Sequence, residues 1–278
     1  MKSVNTISLS IIIINYNTFD LTVNCIQSIY ATTKNIKYEI ILVDNASTEK
    51  NPDLFKEKFP NIILIKSKKN LGFSKGNNLG IEKSKGKVLL LLNSDVIVKD
   101  NTIESAYNYL LSDNKNGALT VKTLYPNGQL QSVCQRFPSI KYQLIELFRF
   151  HKLFSKRKQG QILLASFFQY NTIVEVDWIW GTFFMLKKDI ILKMPEKKLN
   201  DDFFMYVEDM QWCMDIKKIG YKIKFIPNVE IVHYMGGSSA PKNTMMKNNY
   251  NIFLKNNYNL IHRIIIKLLR SLLLITCR

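Results

Sequence analysis

The chain has 278 residues, of which 46% are hydrophobic and 22% are charged, and this composition excludes a disordered or low-complexity protein. A chain of this length buries enough surface to fold as one large domain without a disulfide or a structural metal. The 39 Lys and Arg residues against 22 Asp and Glu give a net charge of +17, which favours polyanionic partners such as nucleic acid, anionic lipid or phosphorylated substrates.

The cysteines and the first residues favour a protein of a reducing compartment. Cys25, Cys134, Cys213 and Cys277 form no CxxC pair, so we expect neither a zinc site nor a redox motif. Residues 1–8 are short and polar, and no run of about 20 apolar residues occurs, so we expect no secretory signal and no simple membrane-spanning helix. These features predict a cytoplasmic protein, with peripheral attachment to the inner face of the cell membrane as an option.

The first half of the chain alternates between predicted strands and helices. Short, continuously apolar runs are typical of buried parallel strands, and apolar residues at helical spacing predict the helices between them. The strands are predicted at residues 8–14, 38–43, 62–65 and 88–92, and the helices at 19–30, 52–59 and 74–83. This order predicts an α/β fold with a mostly parallel central sheet flanked by helices, in which ligands bind beyond the carboxyl ends of the strands.

The second half is less regular. Tyr125-Pro126-Asn127-Gly128 predicts a hairpin turn. The basic segment 141–158 predicts a helix, residues 174–187 an extended segment, 207–219 a helix, and 221–232 a strand interrupted at Pro227.

Residues 243–278 predict a helical, basic C-terminal tail. Arg263, Lys267 and Arg270 are spaced four and three apart, so they share one face of a helix that is otherwise rich in Ile and Leu. Such a basic stripe on an apolar helix predicts contact with an anionic membrane surface. A final helix packed on the domain with a solvated basic edge is the alternative.

Polar clusters follow three of the predicted strands. They are Asn15-Tyr16-Asn17 after the first strand, Asp44-Asn45-Ala46-Ser47 after the second, and Asn93-Ser94-Asp95 after the fourth. Amide, phenol and carboxylate groups at such positions can bind a base or a ribose, and a carboxylate can hold a divalent metal that bridges two phosphates. Each cluster is also an ordinary helix cap or turn sequence.

Two later positions have the same ambiguity. Glu208 and Asp209 begin a predicted helix, where carboxylates are favoured by the helix dipole but where one could also act as a general base. His233 ends a predicted strand, and it is either a metal ligand or a buried hydrogen-bonding residue.

Taken in order, these segments resemble the family 2 glycosyltransferases of the rhamnosyltransferase-like bacterial branch, over residues 7–239. Because seven motifs occur in the right order, a chance match is improbable. The motifs are Asn15-Tyr16-Asn17, residues 43–47, residues 70–80, residues 91–95, Trp180-Gly181, residues 202–209, and His233 with Gly236 and Ser238.

The resemblance implies a GT-A fold over residues 1–242, with a nucleotide-sugar half at 1–95 and an acceptor half at 96–242. It implies inverting transfer of a sugar from a UDP- or dTDP-sugar to a hydroxyl of a glycan or lipid-linked glycan, in cell-surface polysaccharide synthesis (O-antigen or capsule), with Mg²⁺ or Mn²⁺. It makes Asp209 the catalytic base and Asp95 and His233 the metal ligands. The residues it implies for donor binding are Tyr16, Asn17, Asp44, Asn77, Asn93 and Asp95. Those it implies for the acceptor or sugar pocket are Trp180, Gly181 and Glu208.

Two positions depart from the family's pattern. Asn93 stands where the metal motif often begins with Asp, which removes one carboxylate and suggests weaker metal binding. Gln211 stands where another Asp is usual, and we interpret it as structural.

The sequence fits other functions less well. A basic nucleic-acid-binding protein fits the charge, but the basic residues are spread along the chain with no aromatic-interleaved cluster on one helix, so we expect no nucleic-acid partner. A dinucleotide-dependent oxidoreductase lacks its GxGxxG turn after the first strand. An inactive nucleotide-sugar-binding member of the family is compatible with Asn93, but Asp95 and Asp209 argue against it.

Overall fold

Strands and helices alternate through the first hundred residues. A computed structural model of the protein describes residues 6–235 and 242–276, with the side chains of residues 242 and 243 left out. Its first elements are β1 (Leu9–Asn15), α1 (Phe19–Thr32), β2 (Tyr38–Asp44), α2 (Leu54–Lys58), β3 (Ile63–Lys66), α3 (Gly72–Lys83), β4 (Val88–Asn93) and β5 (Val96–Val98). The predicted alternation of strands and helices is confirmed in this half.

The remaining elements are more varied in length. They are α4 (Thr102–Leu111), β6 (Asn116–Leu124), β7 (Cys134–Gln135), α5 (Ile140–Leu147), α6 (Lys156–Leu163), β8 (Val174–Val176), β9 (Trp178–Ile179), β10 (Phe183–Lys187), α7 (Lys188–Ile191), α8 (Glu208–Lys218), β11 (Lys222–His233), α9 (Lys242–Asn257) and α10 (Leu260–Thr276). Three short 3₁₀ segments lie at Phe150–Leu153, Ala165–Phe167 and Pro195–Lys197. No helix within residues 6–235 and 242–276 is long and apolar enough to cross a membrane.

One mixed sheet of nine strands organises the molecule, in the order β3-β2-β1-β4-β10-β6-β11-β5, with β8 also paired to β11. The first four strands of this order are parallel to one another, and β11 is parallel to β6. β10 is antiparallel to both of its neighbours, β4 and β6, and β5 and β8 are antiparallel to β11. The α/β fold with helices flanking a central sheet is therefore confirmed.

The apolar run of β1 is explained by burial on both faces of the sheet. Ile11 and Ile13 face a core shared with α1 and α4. Ile12 faces the opposite core, which α3, α7 and α8 cover. A strand covered on both faces has no solvent side to alternate with, so its sequence is continuously apolar.

One helix prediction in the second half is wrong in part. The segment 141–158 is not one helix, because Arg149 has a left-handed φ of 56° that ends the turn after α5, and a 3₁₀ segment and α6 follow. The predicted helical tail is confirmed and consists of two helices, separated at Tyr258 and Asn259, where the Asn259 side chain accepts a hydrogen bond from the N–H of His262 and caps α10. The predicted strand break is confirmed by a bulge in β11 beyond Ile226, next to Pro227, which has no N–H to donate.

Candidate active site

The ends of β1 and β2 meet at the carboxyl edge of the sheet. Asn15 is in register with Asp44, and its Nδ2 donates to Asp44 Oδ2 at 2.7 Å and to Ser47 Oγ at 2.9 Å. The N–H of Ser47 donates to the other carboxylate oxygen of Asp44 at 3.1 Å. Asp44 is buried, but a carboxylate has about four lone-pair positions, so it retains acceptor capacity for a ligand. Asn15, which the resemblance did not single out, is the residue that orients Asp44.

Asn17 joins the first polar cluster to the second. Its backbone has a φ of 53°, a conformation that Asn tolerates better than most residues, and its Oδ1 accepts the N–H groups of Thr48 at 2.8 Å and Glu49 at 3.2 Å. Tyr16, next to it, is half-buried. The loops after β1 and β2 therefore form one hydrogen-bonded unit.

The three residues predicted near the metal also come together. Nε2 of His233 lies 3.2 Å from Asp95 Oδ1 and 3.4 Å from Asn93 Nδ2. β11 ends beside β5 with His233 opposite Val96, and this pairing brings the end of β11 to the end of β4. Both Asp95 and His233 are buried.

Gln131, which no sequence signal indicated, fixes the orientation of His233. Its Nε2 donates to the carbonyl oxygens of His233 at 2.8 Å and Leu124 at 3.4 Å, so its Oε1 must be the atom that lies 2.8 Å from His233 Nδ1. This network assigns the proton of the neutral imidazole to Nδ1. In that tautomer Nε2 can accept from Asn93 Nδ2, and its lone pair lies next to the Asp95 carboxylate oxygen, two acceptors that a cation would bring into balance.

These residues fit a divalent cation. Metal-bound histidines almost always donate the other ring N–H to a fixed acceptor, and Gln131 provides that acceptor here. A carboxylate and an imidazole nitrogen suit Mn²⁺, whereas Mg²⁺ prefers oxygen ligands throughout. Within residues 6–235 and 242–276 no cluster of three His, Cys, Asp or Glu residues could hold a metal, so a ligand's phosphate oxygens would have to complete the coordination.

The predicted base lies at the start of α8. The two oxygens of Asp209 accept the N–H of Gly181 at 3.0 Å and the N–H of Met210 at 2.8 Å. Burial raises the pKa of Asp209 to about 6, although these backbone hydrogen bonds oppose the rise. Burial and the neighbouring Asp209 charge raise the pKa of Glu208 as well, and its Oε2 has no hydrogen-bond partner among the described residues.

The predicted base is linked to the predicted metal ligands through adjacent strands. Gly181, which holds Asp209, precedes Thr182, and the carbonyl of Thr182 accepts the N–H of Asn93 at 3.1 Å. A Cβ on Gly181 would lie 2.9 Å from the Phe73 ring and 3.9 Å from Asp209 Cβ, so this position has no room for a side chain. Trp180, one residue earlier, is half-buried.

The two residues before Glu208 and Asp209 have an uncommon backbone conformation. Tyr206 and Val207 have φ values of 69° and 76°, and a β-branched residue such as Val is rarely found there. Such backbone strain clusters at functional sites. The same segment is held by Phe73, whose N–H donates to the carbonyl of Phe204 at 2.8 Å.

One predicted donor residue makes its hydrogen bond within its own helix. Asn77 is buried within α3, where its Nδ2 donates to the Phe73 carbonyl at 2.9 Å and its Oδ1 has no hydrogen-bond partner among the described residues. Gly236 and Ser238 lie outside the described residues. Gln211 bridges Asp215 and Asn257 with bonds of 2.9 Å and 2.7 Å, contacts that hold α8 against α9.

Several curated proteins are similar to this chain. Glycosyltransferase GlyG of Streptococcus pneumoniae is 34% identical over 103 residues, which are 36% of this chain and 34% of GlyG, so the chain spans about a third of that relative's length. The low-salt glycan biosynthesis hexosyltransferase Agl10 of Haloferax volcanii is 24% identical over 88% of this chain and 72% of its own length. Rhamnosyltransferase WbbL of Escherichia coli K12 is 23% identical over 59% of this chain and 61% of its own length.

Two solved structures share the fold. Mannosyltransferase PcManGT of Pyrobaculum calidifontis, in complex with GDP-Man and Mn²⁺, covers 98% of this chain and 75% of its own length with a TM-score of 0.60 and 15% identity. GalNAc-T7 with UDP, GalNAc and Mn²⁺ covers 91% of this chain and 48% of its own length with a TM-score of 0.64 and 14% identity. The predicted GT-A fold is confirmed by these likenesses.

The family model described as glycosyl transferase family 2 matches residues 10–174, more than half of the chain. This match spans the strands and polar loops that build the Asp44 and Asp95 ends of the site. The chain is therefore a member of glycosyl transferase family 2.

Proposed function

We propose that this protein is a metal-dependent, inverting glycosyltransferase that moves a sugar from a UDP- or dTDP-sugar to an acceptor hydroxyl in cell-surface polysaccharide synthesis. The observation that carries the proposal is the pair of adjacent hydrogen bonds, Gly181 to Asp209 and Asn93 to Thr182, which links the buried carboxylate of Asp209 to the strand end that leads to Asp95. The names of Agl10 and WbbL, which concern glycan biosynthesis and rhamnosyl transfer, support the polysaccharide assignment.

Asp209 is the general base in this proposal. An acceptor hydroxyl is a weak nucleophile until its proton is removed, and a base whose pKa lies near the working pH removes it most efficiently. With a pKa of about 6, Asp209 is ionised near neutral pH yet still basic enough to take the proton. The N–H groups of Gly181 and Met210 fix the direction of the carboxylate and leave its other lone pairs for the acceptor.

Glu208 has a separate role. It is buried beside Asp209 with one oxygen unpartnered, and its raised pKa favours the neutral acid, which can donate a hydrogen bond. We assign it to orienting the acceptor or the sugar, together with Trp180 and Gly181. Attack from one face needs one base, so a second ionised carboxylate is not required.

The donor lies across the carboxyl ends of β1, β2 and β4. Asp44, held by Asn15 and Ser47, accepts from the pyrimidine or ribose, with Tyr16 and Asn17 beside it and Asn77 contributing from α3. Asp95 and His233, with Asn93 beside them, would hold Mn²⁺ or Mg²⁺, which when bound supplies positive charge to the departing diphosphate. His233 can serve because Gln131, by accepting from Nδ1, leaves the Nε2 lone pair, 3.2 Å from Asp95 Oδ1, for a cation.

The acceptor is a glycan or a lipid-linked glycan in this proposal, and the enzyme works at the cytoplasmic face of the membrane. The decisive experiment incubates the protein with a panel of UDP- and dTDP-sugars, Mn²⁺ or Mg²⁺ and a saccharide acceptor, and measures release of the nucleoside diphosphate as the sugar passes to the acceptor or to water. Metal-dependent release with at least one donor, lost on chelation, is the expected result. Tight donor binding without release for every sugar and metal would indicate an inactive binding protein.

A further inference from the structure

Large apolar side chains are exposed mainly in two parts of the described chain. One is the outer face of α10, where Ile261, Ile264, Leu268, Leu272 and Ile275 are between 47% and 71% exposed. Their spacing of three and four residues puts them on one side of the helix. Ile266 and Leu269, on the opposite side, are buried against the body of the protein. α10 therefore has two apolar faces, of which only one is covered.

The second part is residues 148–158, after α5. Phe148, Phe150 and Leu153 are 60%, 51% and 80% exposed, and the basic residues between and after them are exposed as well. Those basic residues are Arg149, Lys152, Lys156, Arg157 and Lys158. α5 packs against α10, and the first turns of both helices line one cavity of about 450 Å³, so the two parts lie on neighbouring elements.

The charge of both parts has one sign. The chain contains no Asp or Glu after Glu230, and residues 141–158 contain six Lys and Arg against the single Glu146. On α10, Arg263, Lys267 and Arg270 lie along one edge between the buried and exposed apolar faces, with Arg270 stacked on Tyr250 at 4.2 Å. A basic edge beside an exposed apolar face complements a surface that is anionic outside and apolar beneath.

We propose that the outer face of α10 and residues 148–158 together form a docking surface for an anionic phospholipid bilayer. Aliphatic Ile and Leu side chains gain from transfer into acyl chains, whereas a nucleic acid offers them no comparable apolar surface. A second copy of the chain docked symmetrically on this face would bring the basic edges of both subunits together.

The proposed docking surface is connected to the predicted base by packed side chains. Ile266 of α10 packs in one cluster with Phe203 and Met210, the residues that flank the segment containing Glu208 and Asp209. A bilayer held by the outer face of α10 is therefore connected to the acceptor side of the site through one layer of packed side chains. That an acceptor is carried in this bilayer rests on the proposed function, but the docking surface itself does not.

The test is co-sedimentation of the full chain with vesicles, using either pure phosphatidylcholine or phosphatidylcholine mixed with phosphatidylglycerol. The variant Ile264→Glu/Leu268→Glu places two charges on the outer face. Its matched control, Leu111→Glu/Leu192→Glu, places two charges at exposed leucines outside both parts. Lys156→Glu/Arg157→Glu tests the basic contribution. All of these side chains are exposed, so we expect melting temperatures near that of the unmodified protein.

We expect the unmodified protein and the control to bind phosphatidylglycerol vesicles and to bind pure phosphatidylcholine more weakly. Both surface variants should bind at least about tenfold more weakly than the control. Equal vesicle binding by all variants would overturn the proposal. So would binding of single-stranded DNA that Ile264→Glu/Leu268→Glu leaves intact while vesicles are not bound, or a dimer in solution that this variant dissociates without any vesicle binding.

Donor turnover keeps the two proposals separate. Diphosphate release with a water-soluble acceptor, or by hydrolysis, should be the same in the surface variants and in their control. Vesicle binding without turnover would support the docking surface and contradict the proposed function. Turnover without vesicle binding would support the proposed function and contradict the docking surface.

Discussion

Gln131 and His233 are joined by two hydrogen bonds, one between side chains and one from the Gln131 amide to the His233 backbone, each 2.8 Å long. The two residues are 102 positions apart in sequence. Because the amide donates to backbone carbonyls, its oxygen can only accept from His233 Nδ1. The pair thus sets which ring nitrogen faces Asp95.

Replacing Gln131 should weaken metal binding. In Gln131→Leu the imidazole loses the acceptor at Nδ1, and outer-shell partners of this kind are worth about 10- to 100-fold in metal affinity. The loss of a buried partner should also destabilise the fold by about 1–3 kcal/mol. Titration of Mn²⁺ by electron paramagnetic resonance measures the first effect, and urea unfolding measures the second. Gln129→Leu, at an exposed position of the same hairpin, is the control; equal Mn²⁺ affinity in both variants would remove this role from Gln131.

Removing the base should abolish transfer without affecting the donor. Asp209→Asn keeps the size of the side chain but cannot accept the acceptor's proton, so kcat should fall by about 10²- to 10⁴-fold. Donor affinity, measured by calorimetry, should stay within about twofold, since the proposed donor contacts follow β1, β2 and β4 and Asp209 lies in α8. Asp202→Asn removes an exposed carboxylate seven residues earlier and serves as the control. A kcat in Asp209→Asn equal to that of Asp202→Asn would exclude Asp209 as the base.

The pH dependence of kcat/KM should report Asp209. Burial raises its pKa to about 6, and only the ionised form can take a proton. Activity should therefore be constant above this value and fall about tenfold for each pH unit below it, in contrast to an exposed Asp, whose usual pKa is about 3.9. The measurement is kcat/KM from pH 5 to 8 with saturating metal. A profile that is flat across this range would contradict the assignment.

Asn93→Asp should strengthen metal binding and destabilise the metal-free protein. Asn93 Nδ2 lies 3.4 Å from His233 Nε2, so a carboxylate at this position adds an oxygen ligand beside Asp95 and His233. Without a cation, two neighbouring carboxylates repel. The melting temperature should fall in the absence of Mn²⁺ and rise more steeply with added Mn²⁺ than that of the unmodified protein. Identical Mn²⁺ dependence of the two melting temperatures would count against a metal at this place.

Gly181→Ala should disturb the base through packing. The added Cβ would lie 2.9 Å from the Phe73 ring, which stacks on the buried Trp212, so the ring or the strand end must shift. We expect a loss of about 1–3 kcal/mol in unfolding free energy, with a lower kcat. Gly76→Ala is the control, because the nearest atoms to its Cβ belong to the Ile14 side chain and lie at 3.3 Å or more, farther than the Phe73 ring lies from Gly181. Urea unfolding and steady-state kinetics of both variants measure these effects. Full activity in Gly181→Ala would show that the close packing of Gly181 against Phe73 is not needed to position Asp209.

The sequence predicts those parts of the molecule that depend on local pattern. Strand β1 can be predicted because both of its faces are covered and its residues are therefore continuously apolar. The bulge of β11 next to Pro227 can be predicted because proline has no N–H to donate. The end of the helix after α5 cannot be predicted, because arginine is a good helix former and nothing around Arg149 indicates that it adopts a left-handed φ.

The candidate site divides in the same way. Residues that directly follow predicted strands, such as Asp44 and Asp95, can be placed at the sheet edge from the order of the elements. Gln131 cannot, because its partner is brought to it by strand pairing across the whole second half. The position of β10 between β4 and β6 cannot be predicted from the sequence either, since buried antiparallel and parallel strands have similar local sequences. The sequence of residues 148–158 predicts part of a helix, and the exposure of its aromatic and basic side chains follows from the left-handed Arg149, which the sequence does not indicate.

The position of β10 limits how the candidate site can move. The strand is hydrogen-bonded to β4 on one side and β6 on the other, so separating the segment next to Gly181 from the end of β4 at Asn93 would leave peptide groups without partners. Neighbouring strands are about 4.8 Å apart, so the two strand ends keep about that spacing as long as the sheet is intact. The two sides of the sheet therefore cannot separate here, and any opening or closing of the site falls to the loops beyond the strand ends.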